Sequence, residues 1–516
     1  MKVIGPFIPR SLSTRESVFT LPQGLASVMQ DCNFTGGYLK NRGSFSRANS
    51  SPLNFIYWLG NWNDPAAFFG SNTPLIVALN FNVGTSANKI YSGVIQPDTP
   101  SLTFADVTGS FSMSGYSQSL PYTSGSLNSL FFVFGSSLTS AAPFKLTAYN
   151  ANAVALGGSP PFGDCVKVVN NFCFVSRNLS STSTYSRIYW SNVADPETWP
   201  AANFLDFRLN DGDTITAITE QFQNLIIFKQ RSCGYLSTTT VSIAGTVTLG
   251  PLVTLSTKYG CIGPNAVDTL PDGRIVFMDS NFRVIIYDGS QFTPISDQPF
   301  GNSSIQPSLS NQFVNNEGTG VNLKYDQYQN RILITIITKS NSVTAAFAYD
   351  LLENSWSAIT SGFSGNGQEQ ITSTTVCTAG GNNTFIKPFY SLLSTNGGYV
   401  NIMDGSNGPN ILNQSSQSGN VQFTIHIPND FEPRCLLIPA TVQSGGSLSV
   451  TIGANGTFNA NPSTPIGTRG ILWNVISLDQ INSMIPKPLI LNVSISVTAG
   501  DTFSIYPMYV SDEVLS

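Results

Sequence analysis

RIYWSNVADPETWPAANFLDFRLNDGDTITAITEQFQNLIIFKQRSCGYLS, residues 187–237, is the stretch whose reading decides the fold. A short aromatic run, Ile188-Tyr189-Trp190, leads into a proline-bearing turn, Asp195-Pro196-Glu197-Thr198-Trp199-Pro200. Leu205-Asp206-Phe207 follows, then a tight Asn210-Asp211-Gly212-Asp213 turn. Two apolar runs close the stretch, Ile215 to Ile218 and Leu225 to Phe228, with Gln223-Asn224 read as the turn between them. Short β-rich runs punctuated by residues that tolerate turns are hairpin chemistry. The unit has the length of one four-stranded blade.

The same pattern recurs along the chain. Apolar runs begin at Leu75, Leu130, Phe172, Leu225, Ile275, Ile332 and Phe385, most of them after a polar pair such as Asn170-Asn171, Asp272-Gly273 or Gln329-Asn330. Successive starts lie about 42 to 57 residues apart, near the spacing of about 40–50 for a propeller blade. Several units close on an aromatic strand ending in aspartate: Ile286-Tyr287-Asp288-Gly289 with Phe292, Ala348-Tyr349-Asp350 with Trp356, and Ile402-Met403-Asp404-Gly405. These rings are expected to pack between blades. The pattern predicts an all-β chain, an irregular six- or seven-bladed β-propeller over residues 51–415. Beyond 416, strands of period two, such as Phe423 to Ile427, Leu448 to Ile452 and Leu489 to Ile495, predict a small C-terminal β-sandwich-like domain over 416–516. Residues 1–50 read as a separate N-terminal arm with the first strands.

Composition narrows the function classes. The chain has 516 residues, ample for a large core, and only 10% are charged, against about 25% in ordinary soluble proteins. Ser, Thr, Asn and Gly take the place of charge, as in β-rich extracellular or viral assembly proteins. A net charge of −5 argues against a tight, sequence-independent grip on nucleic acid. The seven cysteines are scattered without a Cys-x-x-Cys pair and read as buried free thiols of a chain folded in a reducing cytoplasm. Neither a signal-peptide core nor an apolar membrane span is evident, so a soluble chain without membrane insertion is expected. Residues 107–144 carry no charge at all and read either as a blade buried against its neighbours or as an interface with another copy of the chain.

The first 50 residues differ, with six basic residues (Lys2, Arg10, Arg15, Lys40, Arg42, Arg47) against two acidic ones, a local +4 that leaves −9 for the rest. The segment reads as an edge strand with a solvated arm, or as a docking arm for an acidic partner surface. Chemistry is sparse elsewhere. His426, the one histidine, sits in an alternating strand and reads as a half-buried structural residue. Asp211-Gly212-Asp213 lacks the further acidic ligands of a calcium loop. No nucleophile elbow, zinc-protease or phosphate-loop motif occurs, and no carboxylates stand in a distinctive pair for glycoside cleavage. The expectation is a chain that is not an enzyme and has no cofactor.

The stretch from Tyr189-Trp190-Ser191-Asn192 through Asp195-Pro196-Glu197-Thr198-Trp199-Pro200, Asn203-Phe204, Gly212-Asp213 and Asn224 to Ser232 resembles the β-propeller tail nozzle proteins of short-tailed bacteriophages, also called tail tubular protein B or packaged-DNA stabilisation proteins. The opening is similar too: Leu21-Pro22-x-Gly24, then Gly37-Tyr38-Leu39-Lys40 and Arg42-Gly43, although Asn41 and Gly43 depart from that family's Arg-Pro-Gly form. The resemblance covers residues 1–45 and 160–360. It implies a structural virion protein, in a tail assembled in the host bacterial cytoplasm, with about six copies closing head to tail into a ring. The ring would sit beneath the portal–adaptor complex, continue the DNA channel, touch double-stranded DNA transiently in its lumen, and hold packaged DNA until ejection. Arg10, Arg15, Lys40, Arg42 and Arg47 would then help dock the arm on the adaptor, and tail fibres or spikes are further implied partners. The alternative is a phage receptor- or glycan-binding propeller using exposed rings such as Trp58, Trp62 or Trp199, with a glycan depolymerase a third reading.

Overall fold

The computed structural model describes the backbone of residues 2–12, 21–30, 32–41, 45–47, 53, 55–63, 74–81, 88–94, 103–109, 117–124, 127–134, 143–148, 151–163, 165–176, 184–238, 241–243, 246–296, 321–327, 329–337, 344–359, 370–379, 385–394, 397–403, 419–442, 448–453, 457–458, 472–478, 489–497 and 503–512. Every regular element among them is a β-strand. The turn-punctuated apolar runs pair with their sequence neighbours because a short polar turn leaves antiparallel pairing as the only close partner.

Seven groups of four antiparallel strands result. Blade 1 is Phe55–Asn63, Pro74–Phe81, Asn88–Val94 and Phe104–Asp106; blade 2 is Ser117–Ser124, Leu127–Phe134, Phe144–Leu146 and Val154–Ala155. Blade 3 is Cys165–Val169, Phe172–Ser176, Arg187–Trp190 and Phe204–Asp206. Blade 4 is Ile215–Gln221, Asn224–Lys229, Cys233–Ser237 and Leu252–Ser256, with the hairpin Val241–Ile243 and Thr246–Thr248 inserted before its last strand. Blade 5 is Val267–Thr269, Ile275–Met278, Val284–Tyr287 and Phe292–Pro294, and blade 6 is Val321–Asp326, Arg331–Ile337, Thr344–Asp350 and Ser355–Ile359. Blade 7 takes three strands from Gln370–Ala379, Phe385–Ser394 and Gly397–Met403, and its fourth from Phe45–Arg47. The first strand of each blade packs on the first strand of the next, and that of blade 7 on that of blade 1, so the ring closes around a central channel. The expected six or seven blades resolve to seven.

Phe45–Arg47 pairs antiparallel with the strand ending at Met403, placing Arg47 opposite Asn401 and Phe45 opposite Met403. A strand from before the propeller thus completes its last blade. Such closure holds the ring and covers an edge that would otherwise invite pairing.

The remaining N-terminal strands lie within the C-terminal sandwich. In one sheet Val3–Phe7 pairs with Met508–Ser511, and Tyr38–Asn41 with Phe503–Ile505, beside Cys435–Val442. In the other, Leu25–Gln30 pairs with Gly419–Ile427, which continues to Leu489–Val497 and Leu448–Gly453. The boundary expected at residue 50 is therefore one of sequence; in space the two ends build one sandwich. One hydrophobic core runs from blades 4 to 6 into it, from Phe228, Phe277 and Trp356 to Met29, Phe423 and Leu436.

The blade-closing aromatics pair first across strands of their own blade, and Trp356 also reaches blade 5. Tyr287 stacks on Phe292 with centroids 4.4 Å apart, and Tyr349 meets Trp356 at 4.9 Å. The Trp356 indole is 1% exposed and donates to the Ile295 carbonyl at the end of blade 5, at 2.8 Å. One turn differs by a residue from the sequence reading. Gln221 pairs with Asn224, so the two-residue turn of blade 4 is Phe222-Gln223, both left-handed with φ of 47° and 62°. The equivalent turn of blade 3 is Asn170-Asn171, as read, with φ of 47° and 64°.

Candidate functional site

The residues that carry the sequence resemblance form a clasp across three blades. After Trp190 the chain turns back through Thr198, whose carbonyl accepts the Asn192 N–H at 2.9 Å, and the Trp199 indole donates to the Pro196 carbonyl at 2.8 Å. This presents Glu197 to blade 2, where its carboxylate accepts the Lys145 ammonium and the Gly157 N–H, both at 2.7 Å. Desolvation, the largest influence on Glu197, would raise its pKa, but the Lys145 and Gly157 donors and the Lys145 charge together hold it below the ordinary value.

The second half of the clasp joins blades 3 and 4. The Lys229 side chain is fully buried and its ammonium donates to the Arg208 carbonyl at 2.9 Å and to Asp211 Oδ1 at 2.7 Å. The ammonium also lies 5.7 Å from the centroid of Phe207, itself 1% exposed. Asp213 accepts the backbone N–H groups of Gln230 and Arg231, at 3.1 Å and 3.0 Å. The Asn210–Asp213 turn is thus built from its own donors, as the turn reading expects, and both carboxylates are occupied by protein groups.

The inner strands of blades 3 to 6 hold further charged residues. Lys167, Glu220, Asp268 and Lys324 stand on the innermost strands of blades 3, 4, 5 and 6, all half-buried. Burial pushes the Lys167 ammonium below the ordinary lysine pKa; Asp268 and Glu220 act in the opposite direction and Lys324 in the same one. The four stand one per blade on consecutive inner strands. Asp268 is anchored by the N–H groups of Thr269 at 3.0 Å and Tyr325 at 2.9 Å. Sequence reading missed this group. Its signal is a charged residue inside otherwise apolar or Thr-rich inner strands: Val-Lys-Val at 166–168, Thr-Glu-Gln at 219–221, Val-Asp-Thr at 267–269 and Leu-Lys-Tyr at 323–325.

Of the expected docking residues, only Arg10 has a described side chain. Arg10 is exposed beside the sandwich, its guanidinium 5.8 Å from the Phe34 ring centroid. Lys40 lies in a sandwich strand and Arg47 in the closing strand of blade 7, with their side chains outside the description; Arg15 and Arg42 lie outside the described residues altogether. Of the rings considered for ligand stacking, Trp199 is half-buried in the clasp, and the side chains of Trp58 and Trp62 lie outside the description. The charge-free strands of blade 2, Ser117–Ser124 and Leu127–Phe134, are likewise described only in their backbone. His426 is exposed rather than half-buried, because it points away from the sandwich core; its Nε2 lies 3.2 Å from the Leu21 carbonyl. The six described cysteines are buried and none is in a disulfide, while the Cys377 side chain lies outside the description.

No family model and no curated protein sequence matches the chain. Among solved structures, it is similar to an exo-β-1,3-galactanase from Phanerochaete chrysosporium, solved with galactose, at 10% identity, over 90% of this chain and 100% of that one, with a TM-score of 0.27. An arabinoxylan arabinofuranohydrolase from Bacillus subtilis, in complex with cellotetraose, matches at 10% identity over 92% and 96% of the two chains, with a TM-score of 0.25. A mutant Trypanosoma rangeli sialidase with trans-sialidase activity matches at 10% identity over 78% and 96%, also with a TM-score of 0.25. The sequence expectation of a chain that is not an enzyme is corrected here, since these similar solved chains are described as carbohydrate-active enzymes. A lack of short motifs does not weigh against such chemistry, which needs only carboxylates brought together by the fold. TM-scores this low assign no activity or substrate to this chain.

Proposed function

We propose that the chain is the subunit of a tail nozzle of a short-tailed phage, closing with other copies into a ring that extends the portal–adaptor channel, retains packaged DNA and passes it during ejection. The observation that carries this reading is the clasp. The residues of the resemblance, from Tyr189 to Ser232, are those that join blades 2, 3 and 4 through Glu197–Lys145, Asp211–Lys229 and the Asp213 turn. The likeness therefore rests on fold-determining contacts and not on shared composition. Both chain ends woven into one sandwich, and a ring closed by its own N-terminal strand, suit a part that must withstand internal load. The basic arm residues Arg10, Arg15, Lys40, Arg42 and Arg47 are proposed to meet the adaptor.

Electron microscopy of the purified chain, alone and mixed with its adaptor ring, tests this. The expected image is a ring of about six subunits with an axial channel seated on the adaptor. The alternative reading is a phage receptor- or glycan-binding propeller. A persistent monomer or trimer that ignores the adaptor and binds host-surface glycan would put the second reading in place of the first.

A further inference from the structure

In antiparallel four-stranded blades, the turns after each first and third strand emerge on one face of the ring. The turns after each second strand, and the links between blades, emerge on the other. On the first face, the blade 4 turn holds Phe222, which is 64% exposed. A Cβ at Gly273 would run into its ring, and one at Gly289 would lie 3.6 Å from it. The ring is therefore laid over the two blade 5 turns that carry Asp272 and Asp288. Asp288 is exposed, its carboxylate fixed by the N–H groups of Ser290 and Gln291, both at 2.7 Å. The corresponding turn of blade 6 adds Asp350, Glu353 and Leu352, the last 76% exposed. Arg274 offsets Asp272 and Arg331 offsets Asp326, which leaves Asp288, Asp350 and Glu353 as the net charge of these turns in blades 5 and 6.

On the second face, the link from blade 4 to blade 5 presents Tyr259. Its ring stacks on Phe292 at 5.0 Å, and Lys258 Nζ and the Arg283 guanidinium lie 5.3 Å and 5.7 Å from its centroid. At Gly260 a Cβ would run into the backbone of Gln230 and Arg231, so the blade 4 turn carrying Arg231 is packed against this link. Asp279 offsets Arg283, Asp211 is bound to Arg208 and Lys229, and Asp213 caps the N–H groups of Gln230 and Arg231. Arg231 and Lys258 are both exposed and give the patch its positive charge.

We propose that these two patches are the two sides of one contact between copies of the chain, with Phe222 and its carboxylates on one copy meeting Tyr259, Lys258 and Arg231 on the next. The occupant is a second copy because each patch carries what the other lacks: an aromatic centre rimmed by anions faces one rimmed by cations. Two different faces make the contact heterologous, so each copy keeps one patch open for a further copy until the series closes. This inference rests on the ring-forming reading and names the surfaces by which the copies meet.

Sedimentation velocity of the full chain tests it, alone and mixed with its adaptor ring. One variant, Arg231→Glu with Lys258→Glu, inverts the cationic patch. The other, Phe222→Asn with Asp288→Asn, removes the ring and the charge; asparagine suits the left-handed turn and keeps an oxygen for the Ser290 and Gln291 N–H groups. The parent should associate beyond the dimer, less so with added salt, and each variant should associate about tenfold or more weakly. Mixed one to one, the variants should form dimers and nothing larger, because each retains the patch that the other has lost. Melting curves establish folding, and should a double variant not fold, Lys258→Glu or Phe222→Asn alone carries the test. Variants that assemble like the parent, or a mixture that stays monomeric, overturn this contact and leave the ring-forming reading standing. A parent that binds its adaptor only as single copies overturns the self-contact, and loss of that binding in the first variant assigns the cationic patch to the adaptor. A parent that stays monomeric and ignores the adaptor overturns both the contact and the ring-forming reading.

Discussion

Breaking the Lys229–Asp211 pair from its two sides should give unequal results, and the inequality is a direct test of the clasp. Asp211→Ala removes the acceptor at 2.7 Å from an ammonium whose side chain is 0% exposed, leaving it only the Arg208 carbonyl at 2.9 Å. Removing one partner of a fully buried pair costs about 3–5 kcal/mol; since Asp211 keeps 19% exposure, we expect about 2–4 kcal/mol. Lys229→Met removes the buried charge itself and keeps most of the volume. Asp211 then retains Arg208 Nε at 3.2 Å and the Asp213 N–H at 3.0 Å. The cost should be about 1–2 kcal/mol, chiefly for the Arg208 carbonyl left without its donor. The double variant should cost less than the sum of the two by about 1–3 kcal/mol. Urea unfolding of the four proteins, followed by tryptophan fluorescence and far-ultraviolet circular dichroism, gives these differences. The reasoning is refuted if Lys229→Met is at least as damaging as Asp211→Ala, or if the two costs add to within about 0.5 kcal/mol.

Other perturbations test neighbouring parts of the argument. Because the Glu197 carboxyl is held below its ordinary 4.5, its contribution is complete above that value and is lost as pH falls through the lower folded value. Glu197→Gln should therefore lower stability by about 0.5–1 kcal/mol near pH 7, the carboxylate being partly screened by solvent, and the gap to the parent should narrow as pH falls below 4.5. A gap that widens on acidification would contradict the sign. Gln223→Gly, at φ of 62° in the blade 4 turn, should stabilise by about 0.4–1 kcal/mol in the same unfolding assay, since glycine adopts that conformation without strain. Gly158→Ala should do the reverse, at about 2 kcal/mol or more, because φ is +74° and a Cβ would meet the Glu197 carbonyl. Burial pushes the thiols of Cys173, Cys233 and Cys261 up to about 12. These three should resist alkylation near pH 8 until denaturant is added, as peptide mapping by mass spectrometry would show; rapid labelling of the folded chain would contradict their burial.

Much of the fold is legible in the sequence because blades are local. A strand, a polar turn and the next strand lie within a dozen residues, so the period of the apolar runs gives the unit, and the aromatic–aspartate endings give its outer hairpin. What crosses long sequence distances is not legible. Nothing in Phe45-Ser46-Arg47 marks it as the fourth strand of a blade whose other strands begin beyond residue 369, since three residues carry no pairing signal of their own. The sharing of the sandwich by Leu25–Gln30 and Gly419–Ile427 is hidden for the same reason. The turn at Phe222-Gln223 was displaced by one residue in the reading because Asn usually takes the left-handed position, and here phenylalanine takes it instead. The charges on the inner strands were overlooked because they stand about 50 residues apart, one per blade.

The placement of charge ties these observations to function. The chain has few charges, and among the described residues most are spent locally on holding strands in register. Arg187 is bidentate on Asp206 across two strands of blade 3, Arg283 closes the turn of blade 5 on Asp279, and Arg331 pairs with Asp326 in blade 6 with both side chains nearly inaccessible. Each such pair offsets its own charge, so it presents little field to a partner and leaves a surface of hydroxyls and amides. A surface of that kind tolerates close contact with another copy of the chain, because no unpaired charge must be desolvated when the two meet.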